Sequence, residues 1–123
     1  MSFMILIVCE DEVLCSTRAA ILNQWEVVTT RTDVAAAALS VKRWDLLILC
    51  HTVPDDVARK LITQACFVNP LLQVIALSRE GQDRHLDCYK HEIDIAHPGS
   101  LKEAVARLFL DRFSSIQTPH SVQ

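Results

Sequence analysis

The stretch Phe3-Met4-Ile5-Leu6-Ile7-Val8-Cys9, closed by Glu10-Asp11-Glu12, decides how the rest of the chain reads. A strand with one face in water alternates apolar and polar residues. This run does not alternate, so both of its faces are expected to be buried, as in a parallel sheet. The three acids end the strand and suit the first turn of a helix, where negative charge is favoured.

The same reading extends outward. Helical spacing follows through Val13, Thr17, Ala20 and Ile21 to about Gln24. Val27–Thr30 predicts a short β-branched strand, and Asp33 the N-cap of a helix over Ala35–Lys42. Asp45–Cys50 is another apolar strand. Pro54-Asp55-Asp56 opens a helix with apolar positions at Val57, Leu61, Ile62, Ala65 and Val68, and Asn69-Pro70 stops it. Leu72–Ser78 predicts a fourth strand, Gly81–His91 a helix of poor period, and Ile93–Ala96 a fifth strand. Ser100 is expected to cap a final helix through Leu101, Ala104, Val105, Leu108, Phe109 and Phe113. The polar residues Ser114–Gln123 read as a flexible tail or the start of a linker.

Strand and helix thus alternate five times. This implies one α/β domain over residues 1–113, with a five-stranded parallel sheet and helices on both faces. In such sheets the functional crevice lies beyond the carboxyl ends of the strands. The candidate positions are therefore Glu10-Asp11, Cys50-His51, Ser78-Arg79 and His97-Pro98.

Composition bounds the function. The chain has 123 residues, 50% hydrophobic and 22% charged, which fits one packed domain. With a net charge of −3, nothing in the composition suggests the basic face that binding nucleic acid needs. The apolar runs fall far short of the ~20 residues a membrane span needs, and no basic region precedes the first one, as a secretory signal would require. There are two glycines, Gly81 and Gly99, too far apart for either common phosphate-cradling loop. Of the five cysteines, none is spaced C-x-x-C and most sit in apolar runs. That pattern predicts a reducing, cytoplasmic setting with thiols as small core residues.

The strand-end residues resemble the receiver domain of bacterial response regulators, over about Phe3 to Phe113. Leu6-Ile7-Val8-Cys9-Glu10-Asp11-Glu12 looks like the family's first strand and acidic pair. Asp45-Leu46-Leu47-Ile48-Leu49 looks like the strand before the phosphorylated aspartate, and Pro54 like the proline four residues after it. Val74-Ile75-Ala76-Leu77-Ser78 looks like the fourth strand with its terminal Ser/Thr, and His97-Pro98 stands where the family has Lys-Pro. The resemblance implies a CheY-like, flavodoxin-like three-layer sandwich of strand order 2-1-3-4-5. It also implies a role in phosphorelay signal transduction through protein–protein contact, with no enzymatic activity.

The departures carry as much information. Counting back four from Pro54 gives Cys50 at the phosphoacceptor position. The family's aspartate is both nucleophile and Mg²⁺ ligand, and a thiol is a poor ligand for that hard ion. His97 replaces the lysine, and Asp94 and Ile95 stand where the family has its switch aromatic. Glu10, Asp11 and Ser78 are what is left of the site, the two acids binding a divalent cation weakly at most. Sliding the first strand by one places Cys9 and Glu10 at the acidic pair instead. The expected protein is a pseudo-receiver that does not use aspartyl phosphate.

Other readings compete. Cys50 is either a reactive thiol, its pKa raised by nearby acids but lowered by a protonated histidine, or a small residue filling the space of a lost aspartate. Cys50, His51, His97 and Asp11, with Cys9 nearby, are ligand types that suit zinc, yet no tight motif joins them. A redox- or metal-sensing module centred on Cys50 is the alternative function, and the receiver part of a longer regulator a third. Arg84, Asp87, Lys90, Lys102, Arg107 and Asp111 fall on the last two helices. In the family, the face of the fourth helix, fifth strand and fifth helix contacts signalling partners or a second copy, so the resemblance implies an interface there with signalling proteins or, as a homodimer, with a second copy.

Overall fold

A computed structural model describes residues 3–78, 91–94 and 98–117. The strands are β1 (Met4–Val8), β2 (Glu26–Thr30), β3 (Leu46–Leu49), β4 (Gln73–Ser78) and β5 (His91–Asp94). The helices are α1 (Glu12–Ile21), α2 (Thr32–Val41), α3 (Asp55–Val68) and α4 (Pro98–Gln117). All strand pairs are parallel, in the order β2-β1-β3-β4-β5.

The sheet is buried on both faces, and the pleat divides the core into two. Leu6, Val8, Leu47, Leu49, Val74 and Ala76 face one way, onto Ala35 and Leu39 of α2 and Ala58, Leu61, Ile62 and Ala65 of α3. Ile5, Ile7, Cys9, Leu46, Ile48, Cys50, Ile75 and Leu77 face the other, onto Cys15 of α1 and Leu101, Val105 and Leu108 of α4. The non-alternating runs of β1 and β3 therefore have the physical origin expected of them. On the second face Phe109 stacks edge-on against Phe3, with ring centroids 5.3 Å apart. β2 lies at the sheet edge, where its residues are half-buried or exposed.

A polar network closes the amino-terminal end of the sheet. Asn69, buried at the end of α3, donates to the Trp44 carbonyl at 2.8 Å. Its side-chain oxygen accepts from Arg43 at 3.0 Å and from the Leu71 amide at 3.1 Å. Asn69 thus stops the helix and satisfies the turn that follows.

Several boundaries differ from the sequence reading. Asp33 lies inside the first turn of α2, whose N-cap is Arg31. Glu10 already serves the start of α2 through Thr32, so no cap is needed at Asp33. α4 begins at Pro98, so Ser100 is within the helix. Proline tolerates a first helical turn because its missing N–H would be unpaired there. α4 also runs to Gln117, beyond the expected start of an irregular tail at Ser114. β5 occupies His91–Asp94, so His91 belongs to a strand and not to the end of a helix. The rest of the helix expected over 81–91, and the end of the strand expected over 93–96, lie outside the described residues. Among the described residues no helix is long and apolar enough to cross a membrane.

Candidate functional site

The candidate site sits at the carboxyl ends of β1, β3 and β4. The register Val8↔Leu49 continues by one residue to Cys9 and Cys50. The Cys9 amide donates to the Thr30 carbonyl and the Cys50 amide to the Val8 carbonyl, each at 3.0 Å, so both residues continue the sheet bonding. Their side chains share the α1/α4 face and are almost fully buried, at 1% and 0% exposure. They form a disulfide, with Cα atoms 5.2 Å apart. This corrects the expectation of small core thiols for these two cysteines. Cys15 fits it, as a buried thiol outside any disulfide, whereas Cys66 is a half-buried cysteine outside the Cys9–Cys50 bond.

The acids have other duties. The Glu10 amide donates to the Thr52 hydroxyl at 3.1 Å. Its carboxylate accepts from the Thr32 hydroxyl and, at 3.2 Å, from the Thr32 amide. These two bonds, with a smaller contribution from Arg31, hold the Glu10 carboxyl below its ordinary pKa. Asp11 is the N-cap of α1, accepting from the amides of Val13 at 2.9 Å and Leu14 at 3.3 Å. That is ordinary helix-cap chemistry.

Ser78 is buried at the end of β4. Leu77 shares the Cys50 face, so the pleat turns Ser78 to the opposite one. His51 follows Cys50 in the turn and is half-buried. His97 and Cys88 lie outside the described residues. The structure therefore joins Cys50 to Cys9, and gives Glu10 to Thr32 and Asp11 to its own helix.

This donor set does not fit Mg²⁺. The sulfurs of Cys9 and Cys50 are bonded to each other, and a hard cation prefers oxygen ligands. The Asp11 and Glu10 carboxylates accept backbone and hydroxyl donors. Among the described residues, no three His, Cys, Asp or Glu side chains form a metal-holding group.

Cys9 also lines a cleft of about 330 Å³ beside β2, together with Glu12, Cys15, Ser16, Thr30 and Arg31. Burial pushes the Cys15 thiol pKa up, against Arg18 and with a small push from Asp11. Burial also lowers the Arg18 pKa. The disulfide was missed in the sequence, yet a signal was there. Ile5-Leu6-Ile7-Val8 and Leu46-Leu47-Ile48-Leu49 each end in a cysteine at the same offset.

No family model matches the chain, and no curated protein matches it in sequence. Solved structures do match. A response regulator receiver domain protein from Clostridium thermocellum superposes with a TM-score of 0.72 at 13% identity, covering 91% of this chain and 97% of that one. The Vibrio cholerae chemotaxis protein CheY4 gives 0.71 at 13% identity, covering 88% and 99%. NtrX from Brucella abortus gives 0.64 at 19% identity, covering 96% of this chain but 29% of that one. At such identities the likeness is one of architecture. Taken with the parallel sheet order and the two helical layers, it shows that this chain has the response-regulator receiver fold.

Proposed function

We propose that the chain is an atypical receiver module in cytoplasmic signal transduction, working through protein–protein contacts without an aspartyl-phosphate step. One observation carries this reading: the residue at the end of β3 is Cys50, buried and bonded to Cys9. A receiver needs a solvent-reached carboxylate there, which attacks the phosphodonor and ligates the metal. Neither group is offered by a buried disulfide. The usual switch adds charge at that point and biases a two-state element. Without an acceptor for that charge, control passes to another input.

The partners proposed are signalling proteins, or a second copy of the chain, meeting the α4 side of the sheet. Lys102 is exposed on α4, as suits the polar rim of an interface. No catalytic role is assigned. The match to under a third of NtrX favours a second reading, that such a module is the receiver part of a longer regulator.

The test is direct. The chain is incubated with acetyl phosphate, or with beryllium fluoride and Mg²⁺, and examined by intact mass and fluorine NMR. The expected result is no adduct. A stoichiometric adduct at the strand ends overturns the reading.

A further inference from the structure

We propose that Cys9 and Cys50 form a reversible thiol–disulfide switch, which supplies this domain's input at the place where a receiver carries its phosphoryl group. The inference rests on the reading above and deepens it by naming the chemistry of the input.

Three observations support it. The two cysteines end neighbouring strands in register, on the same face, with a Cα separation of 5.2 Å. That lies within the ~4.4–6.8 Å range that native disulfides occupy. Second, Cys9 lines a cleft of about 330 Å³ and Cys50 is not among its lining residues, so Cys9 is the member of the pair on the side from which a small thiol would approach. Third, the bond joins the two turns that start α1 and α3. Across the same gap runs the hydrogen bond from the Glu10 amide to Thr52, an exposed contact that holds the turns weakly by itself. A disulfide in a reducing compartment is generally transient or sensory, not structural.

The chemistry balances with glutathione disulfide as oxidant. The Cys9 thiolate attacks one of its sulfurs, forming a mixed disulfide on Cys9 and expelling one glutathione thiolate. The Cys50 thiolate then attacks the Cys9 sulfur. The Cys9–Cys50 bond forms, and the second glutathione leaves. Two electrons pass from the protein thiols to glutathione disulfide, which becomes two thiols, and the protons lost by the cysteines end on them. Reduction by glutathione is the reverse. Cys15 lines the same cleft but stays out of the exchange. Its thiol lies on α1 outside any disulfide, whereas Cys9 and Cys50 end neighbouring strands with Cα atoms 5.2 Å apart, within bonding reach of one another.

The test equilibrates the full chain at pH 7 in glutathione buffers from fully reduced to fully oxidised. Samples are acid-quenched, unfolded, alkylated and mapped by peptide mass, and amide hydrogen exchange is followed at both extremes. Cys9 and Cys50 are expected to lose alkylation together in one two-electron transition, with Cys15 and Cys66 alkylated throughout. Amides of residues 10–12 and 51–53 should exchange at least ~10-fold faster in the reduced chain. A Cys50→Ser chain should capture one glutathione, on Cys9. Alkylation of both cysteines at every ratio, equal exchange in both forms, or capture at another cysteine overturns the switch. Beryllium fluoride with Mg²⁺ is added to the reduced chain as a separate arm. An adduct there sinks the phosphate-independent reading, whereas no adduct and no disulfide sinks only the switch.

Discussion

The Glu10 carboxylate, at the end of β1, accepts hydrogen bonds from both the amide and the hydroxyl of Thr32, the first residue of α2. With the Glu10 amide bonded to Thr52, one residue ties together the turns that follow β1, β2 and β3. An acid that the family resemblance reads as the remnant of a cation site is here a connector between loops.

That connection has a pH signature. The folded-state pKa of Glu10 is lowered, mainly by the Thr32 hydroxyl and then by its amide. Its contribution to stability is complete above the unfolded-state value, roughly 4.3, and is lost as pH falls through the lower folded value. Urea midpoints measured from pH 7 down to 3 should fall less steeply below the ordinary glutamate range for Glu10→Gln than for the parent chain. Parallel curves would refute the assignment.

Asp11 makes a different prediction, because its carboxylate caps α1. Asp11→Ala should lower stability by ~1 kcal/mol, and Asp11→Asn by much less, since asparagine caps nearly as well. Thermal melts of the three chains, with and without millimolar Mg²⁺, measure this. Equal losses for both variants, with a Mg²⁺-dependent Tm in the parent alone, would mean a cation site instead of a cap.

The Cys9–Cys50 bond closes a loop of sequence separation 41. Opening it frees the unfolded chain more than the folded one, and stability should drop by ~2–4 kcal/mol. Urea unfolding with and without reductant reads this directly. Cys9→Ser should match the reduced parent and be insensitive to reductant. A parent chain whose midpoint ignores reductant would contradict the bond.

At the opposite end of the sheet, Asn69 is 2% exposed and its side chain makes three hydrogen bonds. Asn69→Ala leaves the Trp44 carbonyl without its side-chain donor and the Leu71 amide without its acceptor. The expected loss is ~1–3 kcal/mol in denaturant unfolding. A loss within error would show that water replaces the side chain at no cost.

Much of the architecture is legible in the order of residue types. Met4–Val8 and Leu46–Leu49 are apolar without alternation, and only burial on both faces accounts for that. The acids of Asp55-Asp56 marked the start of α3, and Asn69 its end, because both signals act within one turn of chain. Where a boundary depended on a neighbour, the reading slipped. Asp33 is a good cap by type, yet the turn before α2 is held by Glu10, 22 residues earlier in the chain. Ser100 is likewise a good cap by type, yet α4 begins two residues earlier, at Pro98.

Residue order alone dictates the layers: which runs are strands, that the central ones are buried on both sides, and that the β3 end lacks a carboxylate. These follow from periodicity and residue type, which are properties of single segments. It takes the folded sheet to bring Cys9 to Cys50, to give Glu10 to Thr32, and to turn Ser78 to the other face. Those outcomes depend on the register between strands far apart in the chain. A one-residue slip of that register would turn Cys9 to the opposite face and leave Cys50 without its partner.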